Sequence, residues 1–525
     1  MSRQSAAEAQ ECVFAFLAEP ETYPGAPAVR RIDTHGAVVF LAGPDVYKVK
    51  RAIRFPYMDY STLALRKAAC EAEFALNQPN APELYLGVVP ITRSAGRLEI
   101  GGEGELAEWA VHMRRFDESR TLDCMPAGAA LPPELARQLA AAVAASHARA
   151  APSPRDRWLP SLSRFIEEAR DALLRFPDLF PAGVVEALHS GQCAALDRVR
   201  ALLDLRRQEG HVRRIHGDLH LGNIVLMERG PVLFDAIEFD EDIATGDVLY
   251  DLAFLLMDLW VRGDRRGANL VFNRYLNASG PDDQLPGLAA LPLFLSLRAA
   301  IRAHVTAARS LVVEGRARTD VGRSARTYFD AAAGFLRSSR GPLVAIGGLS
   351  GTGKSTIAAE LAPHLGPAPG AVHLRSDIER KRLFGVGETE RLPDEAYGPG
   401  VTAQVYARLR DLALLAAKAG SAVIVDAVHG EPGEREAIEH LARRAGVPFV
   451  GIWLALSTEE RVRRVAGRRG DASDAGPEVA LAQESRPTGR ITWATLDAAR
   501  PASELAAAIA AMANRARLGS GAEGR

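Results

Sequence analysis

The sequence predicts a two-domain protein in which an α+β region precedes an α/β region, the latter built on a parallel sheet flanked by helices. The chain has 525 residues, more than a single hydrophobic core usually accommodates. Its first two thirds begin with strand signals and continue as a mostly helical stretch. Its last third alternates helices with short apolar strands, a pattern typical of parallel strands joined by crossover helices.

The beginning of the chain indicates a small sheet with one helix. Residues 31–50 contain two β-branched runs broken by Ala-Gly-Pro-Asp at 42–45, which predicts a β-hairpin. Residues 61–77 have apolar positions three and four apart behind a Ser/Thr start, the pattern of an amphipathic helix. Strand signals return at 84–92 and 106–116. A small lobe is therefore expected at the start of the chain.

The next part of the chain is helical. Residues 130–335 have helical, Ala/Leu/Arg-rich patterning that is interrupted once, at 211–240. A turn-rich segment at 338–342 then marks a shift in composition, and we place the domain boundary there. The predicted divisions are 1–115 for a small lobe, 116–338 for a helical lobe, 339–517 for a second domain and 518–525 for a disordered tail.

Composition and charge argue against several functional classes. Lys plus Arg number 64 against 65 Asp plus Glu, and the net charge of -1 favours neither nucleic acid nor anionic membranes as a partner. The sequence has no uninterrupted run of about 18 apolar residues and no signal-peptide pattern, so no membrane span is expected. The four cysteines form no CxxC pair, which argues against a metal knuckle or a disulfide framework. A cytoplasmic protein is expected, and its oligomeric state stays open.

The most specific motif opens the second domain. The segment from Gly348 to Ser355 matches G-x-x-x-x-G-K-[ST] and follows the apolar run LVAI, as a phosphate-binding loop requires. Backbone amides would surround nucleotide phosphates, Lys354 would neutralise them, and Ser355 would bind Mg²⁺. The predicted nucleotide-binding residues are Gly348, Leu349, Ser350, Gly351, Thr352, Gly353, Lys354, Ser355 and Thr356. The apolar runs that predict buried strands in this domain are 343–347, 371–375, 422–426 and 448–454.

Two carboxylates and an arginine are candidates for the chemistry at this loop. Asp377 follows the second predicted strand and could orient or deprotonate an acceptor hydroxyl, while Arg380 would hold an anionic group. Asp426 ends a buried strand, where a carboxylate usually supports Mg²⁺. Each Asp has a structural alternative, because an Asp at a helix start or a strand end also caps backbone amides.

Arg464 and Arg468 lie four residues apart on a helix-like stretch and could stabilise charge on a transferred phosphoryl group, although a solvated basic helix face fits equally well. Residues 343–510 resemble small P-loop kinases akin to gluconate kinase, phage polynucleotide 5'-kinase and chloramphenicol phosphotransferase. The resemblance implies that Asp377 binds the acceptor and that the two arginines belong to a lid. The chain departs from the family at Val428 and His429, where a Thr would be expected after the Ala.

A second motif lies at the interruption of the helical lobe. Asp218 and Asn223 are five residues apart in HGDLHLGN, and Asp235 follows on the far arm of a hairpin. This spacing can place a base at an acceptor hydroxyl and two oxygen ligands at Mg²⁺. His216 would brace the loop by hydrogen bonding. The alternatives are a polar hairpin turn or a transition-metal site made by His216, His220 and Asp218.

The HGD motif resembles the catalytic loop of aminoglycoside phosphotransferases and choline kinases, which share the two-lobed protein-kinase-like fold. The resemblance covers residues 30–335. It implies a lysine on a strand paired with a glutamate on the next helix, and we assign Lys48, with Lys50 as the alternative. We assign Glu73 as its partner, with Glu71 as the alternative. The resemblance also places a hinge at 109–113, where the backbone of Met113 would contact adenine.

The sequence therefore predicts an ATP-dependent or GTP-dependent, Mg²⁺-using phosphotransferase with two active sites that act on hydroxyls of small molecules. The whole arrangement resembles bifunctional proteins that join an aminoglycoside-phosphotransferase-like domain to a P-loop kinase domain. Acidic residues after Asp235 could line a cleft for a polycationic acceptor or could simply be solvated; they are Glu238, Asp240, Glu241 and Asp242. Asp247 and Asp251, four residues apart, favour a structural role. Two rival functions stay open: a regulatory nucleotide-binding domain beside one catalytic domain, and a nucleic-acid end kinase using the basic run 461–469.

Overall fold

The computed structural model describes residues 3–55, 58–126, 128–153, 157–337, 340–467 and 470–522, and it describes side chains from Gln10 to Leu518 within those ranges. The chain forms two compact units. Unit 1 consists of Met1–Pro126, Ala141–Leu162 and Leu205–Leu255. Unit 2 consists of Ala127–Ala140, Ser163–Asp204 and Leu256–Arg525.

An antiparallel sheet and two helices form the first part of unit 1. The helices are α1 (Arg3–Ala18) and α2 (Leu63–Asn77). The strands are β1 (Val29–Asp33), β2 (Ala37–Ala42), β3 (Asp45–Lys50), β4 (Arg54–Phe55), β5 (Met58–Asp59), β6 (Tyr85–Ser94), β7 (Arg97–Ile100) and β8 (Glu105–Arg114). Six strands pair in the order β1-β2-β3-β8-β6-β7, while β4 and β5 form a separate ribbon. The predicted hairpin is confirmed as β2–β3, and the predicted helix as α2, whose N-cap Thr62 accepts a hydrogen bond from Leu65 N.

The interruption predicted at 211–240 is a set of short strands that carries the HGD motif. The strands are β9 (Val212–Arg214), β10 (Ile224–Met227), β11 (Gly230–Leu233) and β12 (Thr245–Asp247). β10 and β11 form a hairpin, and β9 pairs with β12. The HGD loop therefore lies between β9 and β10, and the residues that follow β11 return beside it.

Long helices account for the predicted helical stretch. They are α3 (Pro133–Arg149), α4 (Trp158–Leu174), α5 (Ala182–Gln208), α6 (Val248–Val261), α7 (Arg265–Ser279), α8 (Pro281–Gln284), α9 (Leu291–Arg309) and α10 (Gly315–Phe335). Within unit 2, the Phe180 and Phe329 rings stack with centroids 5.0 Å apart. By length and composition, the helical stretch Pro281–Arg309 could span a membrane, but 78% of its apolar window is buried inside the protein.

The last third of the chain is a five-stranded parallel sheet flanked by helices, as predicted. The strands are β13 (Leu343–Gly347), β14 (Val372–Arg375), β15 (Val423–Asp426), β16 (Phe449–Ala455) and β17 (Ala494–Asp497), in the order β14-β15-β13-β16-β17. The helices are α11 (Lys354–Leu361), α12 (Ser376–Leu383), α13 (Pro399–Lys418), α14 (Pro432–Ala445), α15 (Thr458–Ala466), α16 (Pro477–Ala482) and α17 (Ala502–Ala522). Apolar strand residues such as Val344 and Ile424 are fully buried against α11 and α17.

Two features differ from the sequence-based expectation. Strand β17 has no apolar run, because three of its four residues are exposed at the sheet edge, and its pattern therefore gave no strand signal. The segment 518–525 was predicted to be disordered, but α17 continues to Ala522 in spite of the poor helix formers Gly519 and Gly521. Residues 523–525 lie outside the described part of the chain.

Candidate functional sites

The first site, in unit 1, begins with a buried ion-pair cluster. Strand β3 places Lys48 and Lys50 on one face because side chains two residues apart point the same way. The Lys48 Nζ is 2.8 Å from Glu73 Oε1, and the Lys50 Nζ is 2.5 Å from Glu73 Oε2. Glu71 is exposed and lies 3.6 Å from Lys67 instead. The structure therefore brings together Lys48 and Glu73, the pair assigned from sequence, and adds Lys50 to it.

Glu73 stays ionised although its side chain is fully buried. Burial by itself raises a carboxyl pKa, but Lys48 and Lys50 outweigh it and hold the pKa of Glu73 at about 2. The pKa of Lys48 is raised well above its ordinary value, since the neighbouring Asp235 and Glu73 carboxylates outweigh the opposing effect of burial. Both partners are therefore charged at neutral pH.

Asp235 joins this cluster from the far arm of the β10–β11 hairpin. Its Oδ1 is 2.6 Å from Lys48 Nζ, and its backbone N–H donates to Tyr85 Oη at 3.2 Å. Asp235 has a positive φ of 61°, unusual for a residue other than glycine. The next amide, of Ala236, donates to Asn77 Oδ1 on α2 at 2.8 Å. Contacts with β3, β6 and α2 thus fix the position of the Asp235 carboxylate.

The HGD loop presents Asp218 beside Asn223. The Asn223 Nδ2 donates to Asp218 O at 2.9 Å and to Asp218 Oδ2 at 3.0 Å. The His220 Nε2 lies 3.4 Å from the same carboxylate oxygen. Because its amide nitrogen is committed to Asp218, Asn223 has its carbonyl oxygen left as the atom that could bind a cation.

His216 braces this loop, as the sequence predicted. Its Nε2 is 2.9 Å from Phe234 O, and burial lowers the pKa of His216, which favours the neutral ring. The amides of His216 and Gly217 each donate to the Asp251 carboxylate at 3.0 Å. The His220 Nδ1 accepts from Gly222 N at 3.0 Å. Because both histidines use ring nitrogens within the loop, the geometry does not favour a transition-metal site there.

Two acidic residues after the loop are structural. Asp251 is buried and holds the loop amides, and Asp247 is buried against Arg206 at 2.6 Å. Asp247 also accepts from Leu249 N at the start of α6, which is the capping role that the sequence favoured. Neither carboxylate is left for an acceptor.

The acidic run after Asp235 does not form one open acceptor surface. Glu238 is ion-paired with the buried Lys50, and it accepts from Tyr60 Oη at 2.9 Å. Asp240 Oδ1 accepts from the backbone N–H groups of Asp242 and Ile243. Glu238 therefore belongs to the ion-pair cluster, a correction to the idea that it lines an acceptor cleft.

The assignment of Met113 also needs correction. Residues 109–113 lie inside the central strand β8, where Met113 pairs with Val46 of β3 and Tyr85 of β6. The strand ends at Arg114, and Arg115 N donates to Pro44 O. A connecting segment that could contact a nucleotide base therefore begins after Met113, because the strand is longer than its apolar pattern indicates.

The second site, in unit 2, is a cavity of about 1890 Å³ lined by the phosphate-binding loop. Gly353, at the start of α11, has a left-handed φ of 85°, and a Cβ at Gly351 would lie 2.6 Å from Arg461 O, so the loop needs glycine at both positions. The Lys354 Nζ donates to Gly348 O at 2.8 Å and to Leu349 O at 3.2 Å. The loop is therefore folded with its lysine turned onto its own carbonyls.

Asp426 lies at the end of β15 against this loop. Its Oδ2 accepts from Ser355 Oγ at 2.6 Å and lies 3.3 Å from His373 Nε2 and 3.7 Å from Arg375 Nε. Burial opposes ionisation, but the hydrogen bond from His373 and the charges of His373, Arg375 and Lys354 lower the pKa of Asp426. Asp426 is thus a buried carboxylate that contacts the predicted Mg²⁺-binding hydroxyl, a geometry that favours the Mg²⁺-supporting assignment over a strand cap.

Asp377 lines the same cavity as the loop. Burial raises the pKa of Asp377, an effect that the nearby Arg375 opposes. A carboxylate with a raised pKa at a cavity wall suits proton transfer. Arg380, assigned to hold an anionic group, instead donates to Ala396 O at 2.6 Å. It also lies 5.0 Å from the centre of the Tyr397 ring and lines the cavity, so its predicted role in holding an anionic group stays a prediction.

Only one of the two predicted lid arginines lies in the described part of the chain. Arg464 lines the cavity, its Nε donates to Glu460 Oε1 at 2.9 Å, and its Nη1 donates to Ala498 O at 3.1 Å. Arg468 lies outside the described residues. Arg464 is therefore placed at the site, while the pairing of the two arginines stays a prediction.

The departure from the P-loop pattern at Val428 and His429 has a structural explanation. Val428 O accepts from Gly348 N at 3.0 Å, so this segment supports the phosphate-binding loop. The His429 ring is buried, with ring centroids 5.5 Å from Tyr406 and 5.1 Å from Trp493. Burial lowers the pKa of His429 to about 3. His429 is thus a neutral packing residue beneath the loop.

Sequence reasoning missed three residues that hold the second site. His373 and Arg375 contact Asp426 from β14, and Gln483 Oε1 accepts from Ser350 N of the loop at 2.7 Å. His373 and Arg375 alternate with apolar residues on a strand that leads to Asp377, a signal that could have marked them. Gln483 carried no comparable signal.

Comparison with known proteins identifies the two halves of the chain. The family model of the phosphotransferase enzyme family matches residues 67–291, and the AAA domain model matches residues 343–488. An uncharacterized protein of Mycobacterium tuberculosis is 30% identical over 482 residues, which cover 89% of this chain and 92% of that protein. The chain belongs to the family of this protein. Its two matched domains make it a kinase-type phosphotransferase, which confirms the resemblances inferred from the HGD motif and the P-loop.

Two solved structures are similar to the separate halves. The match to the choline kinase of Cryptosporidium parvum covers 62% of this chain and 95% of the choline kinase chain, with 12% identity and a TM-score of 0.38. The gluconokinase of Sinorhizobium meliloti covers 36% of this chain and 100% of its own, with 19% identity and a TM-score of 0.26.

Proposed function

We propose that this chain is a phosphotransferase with two active sites, each of which transfers the γ-phosphoryl group of ATP or GTP to a hydroxyl of a small molecule. The observation that carries the proposal is that each half brings a lysine that could bind phosphate close to a carboxylate that could act as a base and to oxygen atoms that could bind Mg²⁺. In unit 1 this assembly joins Lys48 and Asp235, which are 187 positions apart. In unit 2 the P-loop, Asp377 and Asp426 lie at one cavity.

At the first site, Lys48 binds and orients nucleotide phosphates while Glu73, itself paired with Lys50, holds the Lys48 ammonium in place. The Asp218 carboxylate accepts the proton of the acceptor hydroxyl as the hydroxyl oxygen attacks the γ-phosphorus, while the bond from the γ-phosphorus to the β,γ-bridging oxygen breaks and ADP or GDP leaves. Asn223 orients that carboxylate through the hydrogen bond to Oδ2. His216 and Asp251 keep the loop rigid, so the base stays within reach of the acceptor.

At the second site, the loop amides and Lys354 bind the phosphates, and Lys354 leaves the carbonyls of Gly348 and Leu349 to do so. Asp377 accepts the proton of the acceptor hydroxyl, a role that its raised pKa supports. Arg464 stabilises negative charge on the transferred phosphoryl group. The volume of the cavity is sufficient for a nucleotide and a small acceptor together.

The donor sets of both sites fit Mg²⁺. This ion prefers carboxylate, amide and hydroxyl oxygens, which Asp235 and Asn223 offer at the first site and Ser355 and Asp426 at the second. The lowered pKa of Asp426 keeps it in the anionic form that a cation requires. When bound, Mg²⁺ would neutralise charge on the β- and γ-phosphates.

The regulatory alternative makes one domain a nucleotide sensor. Such a domain would have no need for a base, whereas both halves carry a carboxylate suited to that role, Asp218 and Asp377. The nucleic-acid end kinase is less favoured because each arginine of its basic run that the structure describes pairs with a carboxylate. Arg461 is buried and paired with Glu484, and Arg463 and Arg464 pair with Glu460.

The test is ATP consumption by the purified chain with a panel of aminoglycosides, sugars, nucleosides, choline and polynucleotide ends. Asp218→Asn and Lys354→Ala disable one site each. The matched controls are Asp330→Asn and Lys418→Ala, which change exposed residues away from both sites. Each disabling variant should lose a different acceptor-dependent rate, while both controls keep both rates.

The outcomes separate the alternatives. If Asp218→Asn and Lys354→Ala remove the same single rate, one domain regulates the other and the two-site proposal fails. Loss of polynucleotide phosphorylation with Lys354→Ala would make the second site a nucleic-acid end kinase. If neither variant changes any rate that the wild-type chain shows, neither assigned site performs that reaction.

A further inference from the structure

The outer strand of the parallel sheet has backbone groups that need partners. β14 is an edge strand, because within the residues that the structure describes it pairs with β15 alone. An edge strand leaves alternate N–H and C=O groups unpaired on its outer side. Those groups must bond to water, to side chains or to another segment. The same strand leads directly into Asp377, the proposed base of the second site.

Two asparagines of α7 supply these partners. His373 N donates to Asn273 Oδ1 at 2.8 Å, and Asn273 Nδ2 donates to Ala371 O at 3.1 Å. This pair of bonds is what a neighbouring strand would make with the same edge. Asn269, one helical turn earlier and buried, donates to Pro369 O and Ala371 O at 3.0 Å each. The side chains of α7 thus replace a sixth strand.

The fit between α7 and the strand is close. A Cβ at Gly370 would lie 2.8 Å from Asn269 Nδ2 and 2.5 Å from Ala362 O. Gly370 also has a φ of 99°, which favours glycine. The segment before β14 is therefore shaped to receive the asparagine side chain.

Charged and polar contacts extend this interface from β14 to the neighbouring helices α11, α12 and α13. Arg266 of α7 is 2.9 Å from Glu360 of α11, and Arg274 pairs with Glu388. Arg382 of α12 donates to the backbone oxygen of Asn277 at 3.2 Å. Arg408 of α13 bridges Asp282 of α8, at 2.5 Å, and Glu379 of α12, at 2.6 Å. Helices α7 and α8 thus make four further contacts to the P-loop part of the chain, besides the asparagine bonds at β14.

The strand held in this way carries side chains of the second site. His373 and Arg375 contact Asp426, and Arg375 Nη2 also donates to Asp471 Oδ1 at 2.6 Å. A shift of β14 would therefore move the partners of Asp426 together with Asp377. The positions of β14 and Asp377 therefore depend on α7. Helix α7 lies in the part matched by the phosphotransferase enzyme family and not in the AAA match.

We propose that helix α7 is a component of the P-loop site and that Asn269 and Asn273 are positioning residues for its acceptor-side wall, which is formed by β14 and Asp377. The two family domains are then not independent modules, because the second obtains part of its framework from the first. The catalytic part of this inference rests on the proposed function. Its structural part does not, and the two are tested separately.

The structural test is amide hydrogen exchange of the full chain over residues 371–377. Asn273→Ala removes both bonds to β14, whereas Asn277→Ala removes an asparagine of the same helix whose side chain makes no hydrogen bond within the described residues. Loss of a buried bonding pair changes a local opening equilibrium by about tenfold or more. Exchange at 371–377 should therefore quicken about tenfold in Asn273→Ala and stay unchanged in Asn277→Ala.

The functional test compares the P-loop reaction of the same variants. Asn273→Ala should lower kcat/KM for the acceptor about tenfold while the affinity for a fluorescent ATP analogue stays within twofold, because the wall moves and the loop does not. Asn273→Asp keeps the oxygen that accepts from His373 N but turns a carboxylate oxygen towards Ala371 O and the Asn269 oxygens, so it should not recover the loss. A general folding defect would instead weaken both nucleotide and acceptor binding.

The results that would overturn the proposal are distinct from those that would overturn the proposed function. Equal exchange in Asn273→Ala and Asn277→Ala would show that α7 does not hold β14. Quickened exchange with unchanged acceptor kinetics would limit Asn273 to a structural role and reject it as a positioning residue. A wild-type chain that phosphorylates no acceptor through the P-loop would refute the proposed function, while the exchange experiment would still decide the contact.

Discussion

The two candidate sites hold their proposed phosphate-binding lysines by different structural means. In unit 1 the cation is Lys48, already held by Glu73 and Asp235 from distant parts of the chain. In unit 2 the cation is Lys354, which contacts backbone carbonyls of its own loop. The first site is assembled before a nucleotide arrives, whereas the second must release its lysine. A charge network built by the tertiary fold and a contiguous loop can therefore serve the same chemical purpose.

The difference has an energetic consequence. Glu73 and Lys50 are buried charges, so removing one partner leaves the other without compensation. Lys354 donates to the neutral oxygens of Gly348 and Leu349, and its loop is shaped mainly by backbone geometry. We therefore expect the first site to be coupled to folding stability and the second to nucleotide binding.

The largest expected effect concerns the proposed bases. Asp377→Asn should lower kcat of the P-loop reaction by about 10²–10⁴-fold, the usual contribution of general base catalysis. Its nucleotide affinity should stay within twofold, whereas Lys354→Ala should weaken nucleotide binding. Steady-state kinetics and titration with a fluorescent ATP analogue measure both quantities. A parallel loss of affinity in both variants would contradict the separation of roles between Asp377 and Lys354.

The next effect concerns stability. Glu73→Ala should lower the free energy of unfolding by about 3–5 kcal/mol, because it leaves two buried lysines without their shared carboxylate. Glu71→Ala, on the same helix but exposed, should change it by less than about 0.5 kcal/mol. Urea unfolding followed by circular dichroism measures both. Equal effects of the two substitutions would contradict the buried network.

The network also has a defined pH dependence. The pKa of Glu73 is about 2 in the folded protein and 4.5 ordinarily, so its contribution is fully present above pH 4.5. It is lost as the pH falls from 4.5 towards 2, because the unfolded chain takes up the proton first. Glu73→Gln should remove this part of the acid sensitivity. An unchanged acid transition in that variant would argue against an ionised Glu73.

A smaller effect distinguishes the P-loop half. The pKa of His429 is about 3 in the folded protein and 6.5 ordinarily. Between these values only the unfolded chain binds the proton, so the free energy of unfolding decreases as the pH is lowered. Between pH 7.5 and 5.5 the loss should be about 1.4 kcal/mol. His429→Asn should remove that loss, whereas the exposed His364→Asn should retain it. Urea titrations at both pH values would show this, and retention of the loss in His429→Asn would refute the assignment.

The same comparison explains how much the sequence could predict. The P-loop was predicted residue by residue because the loop is contiguous and its glycines are required by backbone geometry. The Lys48–Glu73 pair was predicted only with the family resemblance, because β3 and α2 meet through tertiary contacts that no local pattern records. Met113 and Glu238 were assigned incorrectly for the same reason. Their roles depend on where β8 ends and on the position of Lys50 in three dimensions.

The asparagines of α7 mark the limit of sequence reasoning. Asn269 and Asn273 lie on a helix within the phosphotransferase-family match and bond to an edge segment within the AAA match, about 100 residues later in the chain. Periodicity predicts a helix and a strand at these places, but it cannot predict that the two meet.

The central claim is that each chain contains two nucleotide sites. Equilibrium binding of a non-hydrolysable ATP analogue with Mg²⁺ tests this without any knowledge of the acceptors. We predict two nucleotides per wild-type chain and one in either Lys48→Ala or Lys354→Ala, with Lys50 still compensating Glu73 in the first variant. A single nucleotide per wild-type chain, lost with one of these substitutions and unaffected by the other, would contradict the account.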